Sequence, residues 1–97
     1  MKYFELAKAT DTRPYFAQFA DDATLEDEGH EHHGIAQIRA WRTSVPNARY
    51  DVRSVVHDGN ATVARVDISG DFPGSPVELL FSFEYADDGR IAVLRIR

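Results

Sequence analysis

Phe19-Ala20-Asp21-Asp22-Ala23-Thr24-Leu25-Glu26-Asp27 and Gly34-Ile35-Ala36-Gln37-Ile38-Arg39-Ala40-Trp41 are the stretches on which the fold turns. Ala23 to Asp27 reads as a strand broken at Gly29, after which His30-Glu31-His32-His33 runs back as a short partner before Gly34. Ile35, Ile38, Trp41 and Val45 recur at helical spacing, with Gln37, Arg39 and Arg42 mostly on other faces, so an amphipathic helix follows, and Pro46-Asn47 ends it.

Towards the N-terminus, Tyr3, Phe4, Leu6 and Ala7 share one face of a short helix. Thr10-Asp11-Thr12 separates it from a second, with Thr12 predicted as the N-cap, Pro14 in the first turn, and Tyr15, Phe16 and Phe19 at helical spacing up to Asp21-Asp22. Beyond Asn47 the hydrophobic period falls from about 3.6 to 2. Turn signals at Asp58-Gly59-Asn60, Gly70 to Pro76 and Asp87-Asp88-Gly89 then mark out four strands: Arg49 to His57, Ala61 to Ser69, Val77 to Tyr85 and Arg90 to Arg97. An antiparallel meander is the economical arrangement. Helices followed by hairpins predict an α+β fold, with short N-terminal helices and one amphipathic helix packed on a strongly curved antiparallel sheet. Val66, Ile68, Leu80, Leu94 and Ile96 are assigned to the sheet's second face, and their apolar character predicts a homodimer through the sheet.

Length and charge narrow the function. Ninety-seven residues suit one domain, residues 1–97, and the charge of 11 − 16 = −5 disfavours nucleic acid and anionic membrane surfaces as partners. No cysteine is present, which removes thiolate chemistry. Apolar runs are far shorter than the roughly 20 residues a bilayer span needs. Glu5, Lys8 and Asp11 break up any apolar leader core, so a cytoplasmic location is expected. The sequence contains no G-x-G-x-x-G, phosphate-binding G-x-x-x-x-G-K-[ST], G-x-S-x-G or H-E-x-x-H motif. Gly70 to Pro76 has the composition of a crossover loop that edges a pocket mouth.

The F-A-D-D-A-T-L-E-D strand, the short hairpin and the G-I-A-Q-I-R-A-W helix resemble the SnoaL-like branch of the nuclear-transport-factor-2-like superfamily, over nearly the whole chain. The resemblance implies a cone-shaped, cystatin-like α+β roll around an apolar pocket, hosting isomerases, cyclases, dehydratases, epoxide hydrolases or proteins without catalysis. Comparison with ketosteroid isomerase, a member of that superfamily, puts Asp27 at the general-base position and Tyr3 at that of an oxyanion-hole tyrosine. The second oxyanion donor falls at Phe81, which argues against steroid isomerisation itself.

On strand alternation Asp27 shares a face with Leu25, so if Leu25 points inward the carboxylate does too, as a general acid or base. The plainer reading pairs Asp27 with Arg39, Arg42 or a backbone N–H. His30 and then His32 are the imidazoles expected to partner Asp27 in proton transfer, with His57 a bystander. His30, His32 and Glu28 also form a pattern able to bind metal, but it lacks a second ligand cluster at familiar spacing, and neither metal nor cofactor is called for. Tyr3, Phe16, Trp41, Phe81 and Phe83 are the expected ligand-binding residues, and they favour a small apolar or amphipathic partner. The competing expectation is a non-catalytic dimeric binding or scaffold module whose cone is packed shut by Trp41, Phe16 and Phe83.

Overall fold

The computed structural model describes all of residues 1–97. In chain order the elements are α1 (Lys2–Ala7), α2 (Arg13–Ala17), β1 (Phe19–Asp27), β2 (His30–His33), α3 (Gly34–Ser44), β3 (Ala48–Asp58), β4 (Ala61–Gly70), β5 (Val77–Tyr85) and β6 (Ile91–Ile96). The six strands form one sheet in the order β2-β1-β6-β5-β4-β3. β3 to β6 are the expected meander, and β1 joins it through a parallel pairing with β6. No helix is long and apolar enough to cross a membrane.

Two local expectations give way to other contacts. Phe19 belongs to β1 rather than to the second helix. It pairs with Ile91, and the Ile91 N–H donates to the Gln18 carbonyl at 2.8 Å, so the sheet ladder overrides the local helical spacing. Thr12 occupies the N-cap position of α2 but makes no side-chain cap bond. The Asp11 carboxylate instead accepts the Arg13 backbone N–H at 3.1 Å and its guanidinium at 3.0 and 2.9 Å, giving the helix start a charged acceptor.

β1 turns into β2 through Glu28 and Gly29, at φ 52° and 78°. Two successive left-handed residues make the tight hairpin turn whose twist matches the strands, and Gly29 supplies one of them without a Cβ penalty. The turn sets Asp27 opposite His30 and Leu25 opposite His32.

Register also decides which residues face the helices. Phe81 pairs with Ile96, Phe83 with Leu94, Val66 with Leu79 and Ile68 with Val77, so these side chains share one face. Val66, Ile68, Leu94 and Ile96 are accordingly buried, and of the five residues assigned to the outer face only Leu80 lies there, 43% exposed. The alternation of one strand alone leaves open which face meets the core, and the register of β4 and β6 against β5 puts these four residues inside. The outer face instead carries ion pairs, Arg65 with Glu78 and Arg95 with Glu84 among them, as a solvated antiparallel face does. The expected sheet-to-sheet dimer thus loses four of its five supporting residues.

Tyr3 and Phe4 from α1, Tyr15 and Phe16 from α2, and Ile38 and Trp41 from α3 pack over the inner face. Arg39 caps one edge with its guanidinium 4.4 Å over the Phe16 ring.

Candidate functional site

The helices do not cover the inner face completely. Between α1, α3 and the sheet lies an open cavity of about 340 Å³, bordered by Tyr3, Asp27, Trp41, Arg42, Tyr50 and Phe81 among others. Phe72, Pro73 and Gly74 line it as well, so the loop after β4 edges the mouth. A space of this size suits a small molecule.

Asp27 reaches it because Leu25 is fully buried and the side-chain period of a strand is two. Its Oδ2 accepts the indole N–H of Trp41 at 3.0 Å. Neither Arg39 nor Arg42 pairs with it: Arg39 lies over Phe16, and Arg42 donates to the Ala7 carbonyl at 2.9 Å and to the Tyr50 hydroxyl at 3.4 Å. The carboxylate is therefore oriented by a neutral donor and keeps its second oxygen free of protein partners.

Tyr3 also borders the cavity, and its hydroxyl lies 2.8 Å from that of Tyr15. Burial raises both phenols: Tyr3 goes well above its ordinary value and Tyr15 to about 12. Both are neutral donors near neutral pH. When Tyr15 gives its proton to the Tyr3 oxygen, the Tyr3 proton is left to donate elsewhere.

This burial has a measurable consequence. An unfolded tyrosine ionises near about 10, so folding favours the protonated Tyr15 and its contribution is complete below that pH. It is lost as the pH climbs through about 12, the folded value. Urea unfolding should lose about 2–3 kcal/mol over that interval through this residue, and Tyr15→Phe should flatten the decline. Equal slopes for the two proteins would contradict the assignment.

The other expected site residues divide between inside and outside. Trp41 and Phe81 line the cavity with Tyr3, whereas Phe16 and Phe83 are buried in the core and do not border it. His30 and His32 stand on the inner face of β2 but border a separate recess, which also includes Asp27, Glu28 and Trp41. The His32 ring is 6.3 Å from that of Trp41. Asp27 thus has the cavity on one side and the hairpin imidazoles on the other, with no hydrogen bond to either histidine. His30, His32 and Glu28 do not form a three-residue set able to hold a metal ion. His57 bonds Thr62 at 2.9 Å, away from the cavity. Sequence reasoning missed Tyr50, and it treated Arg42 only as a partner for Asp27. Tyr50 was legible as an inward position at the start of β3, but a sequence separation of 35 hides the contact of Ala7 with Arg42.

The SnoaL-like domain model matches residues 2–94. No curated protein matches the chain. Among solved structures, a candidate polyketide cyclase from Sinorhizobium meliloti is similar at 38% identity and a TM-score of 0.91, over 98% of this chain and 89% of that one. An NTF2-like protein of unknown function from Cytophaga hutchinsonii superposes with a TM-score of 0.82 at 13% identity, over 98% and 81% of the two chains. A protein from Sphaerobacter thermophilus does so at 0.83 and 20% identity, over 99% and 88%. The last two are alike in fold alone. With the family model spanning nearly the whole chain and the curved sheet enclosing a cavity, this protein belongs to the SnoaL-like family and carries the nuclear-transport-factor-2-like fold.

Proposed function

We propose that the protein binds a small apolar or amphipathic carbonyl compound in the cavity and catalyses a cofactor-free proton transfer on it, with Asp27 as general base. The observation that carries this reading is an open cavity bordered by a carboxylate that no cation neutralises. A cone packed shut by its own aromatics would favour a scaffold role, but Phe16 and Phe83 leave the space open.

In such a reaction Asp27 removes a proton from the carbon next to the carbonyl, and the charge moves to the carbonyl oxygen. Tyr3 is the donor suited to that oxygen. If the substrate carries a second carbonyl, the new carbanion attacks it, a carbon–carbon bond forms, and the alkoxide takes back a proton. The likeness to a candidate polyketide cyclase favours this aldol-type closure over isomerisation, dehydration or epoxide opening. His30 and His32, on the solvent side of Asp27, are suited to relay its proton.

Trp41 is the chain's single tryptophan and stands in the cavity wall, so its emission reports occupancy. Titration with bicyclic ketones such as 1-tetralone should give saturable changes. Ala48→Phe, which adds a ring to the lining, should abolish them. An unresponsive Trp41, or equal binding by that variant, would overturn the reading.

A further inference from the structure

Arg42 is half-buried and borders the cavity, yet it forms no ion pair. The other half-buried arginines do: Arg90 with Asp21 and Asp88, and Arg95 with Glu84. The cations without a carboxylate partner besides Arg42, namely Lys2, Lys8, Arg39 and Arg49, are exposed and remain hydrated. A partly desolvated guanidinium ordinarily acquires a counter-charge.

Its setting fixes where that charge would sit. The guanidinium carbon lies 4.7 Å over the Tyr15 ring, one nitrogen donates to Ala7 and another to Tyr50. Of the five N–H donors of a guanidinium, these two bonds leave three. Because the Tyr50 oxygen accepts from Arg42, the Tyr50 proton is free to be given away, and Tyr50 also borders the cavity. Two adjacent side chains thus have donors to spare and no protein acceptor for them.

We infer that Arg42 and Tyr50 form an anion subsite, and that the cavity's ligand is an amphipathic carboxylate whose head binds there while its apolar body lies along Phe81 and Leu79. This rests on the cavity being the ligand site and adds the charge of the ligand. Arg42 binds the carboxylate through charge-assisted hydrogen bonds, and Tyr50 adds a neutral one. Asp27 and Glu28 also border the cavity, whereas Arg97 there is already held by Glu26 at 3.0 Å, so Arg42 is the cation left for an anion.

The probes are octanoate and octanamide, which match in shape and differ in charge, titrated against the Trp41 emission at neutral pH. The wild-type protein should bind octanoate about 10-fold or more tighter than octanamide. Arg42→Gln should remove the preference, and Arg42→Lys should restore part of it. Because Arg42→Gln also loses the bond to Ala7 and could unfold, Tyr50→Phe serves as the second variant and should weaken octanoate more than octanamide. Equal binding of acid and amide by the wild-type protein would overturn the anion subsite while leaving the cavity reading intact. Binding of neither would overturn both, and a folded Arg42→Gln that keeps the preference would overturn the role of Arg42.

Discussion

Phe83→Ala is expected to cost about 3–5 kcal/mol, the range for truncating a buried aromatic. Phe83 is fully buried on β5, opposite Thr62 on one side and Leu94 on the other. The Tyr3 ring meets it edge-on at 5.2 Å, and Phe81 and Tyr85 stack along the same strand at 6.4 and 6.5 Å. The ring joins α1 to the sheet. Against a total of about 5–15 kcal/mol this is a large fraction, and the melting temperature should fall by more than about 12 °C. Leu80→Ala on the outer face is the control and should change stability by less than about 1 kcal/mol. Similar small losses for both, measured by urea unfolding, would mean that the aromatic cluster is not the stabilising core.

Asp27→Asn is expected to separate stability from activity. The asparagine carbonyl still accepts the Trp41 N–H, so the bond that orients the side chain survives in weaker form, and no salt bridge is lost. Stability should change by less than about 1 kcal/mol, the difference between a charged and a neutral hydrogen bond. The proposed base is gone, however, and catalysis should fall by about 10²–10⁴-fold, the usual contribution of a positioned base. A melting curve and a rate on the same sample check both parts. A large loss of stability with no loss of rate would make Asp27 a structural anchor.

The fold was legible where side-chain period and turn chemistry agree. The helix from Ile35 to Trp41, the turns at Gly59 and Gly89 and the four-strand meander all appear where spacing puts them. What local pattern could not supply was pairing. Phe19 fits a helix by spacing and a strand by its partner Ile91, and only the folded sheet brings Ile91 to it. The faces of Val66 and Leu94 depend on register against β5, which the alternation within a single strand does not contain. The site divided along the same line. Asp27 and Tyr3 lie on the cavity wall, and Asp27 shares an inner face with Leu25 as strand alternation requires. The Arg42 contacts join α3 to the end of α1 and to β3, across separations that no motif spans.

The proposal stands or falls on a proton moving between Asp27 and a bound carbonyl compound. The most direct measurement is exchange of the protons next to the carbonyl for deuterium, followed by NMR in heavy water, for ketones that saturate the Trp41 signal. The wild-type protein should accelerate exchange well above the buffer rate, and folded Asp27→Asn should bind the same ketone yet return exchange to that rate. Exchange at the buffer rate with wild-type protein, or equal acceleration by Asp27→Asn, would contradict it.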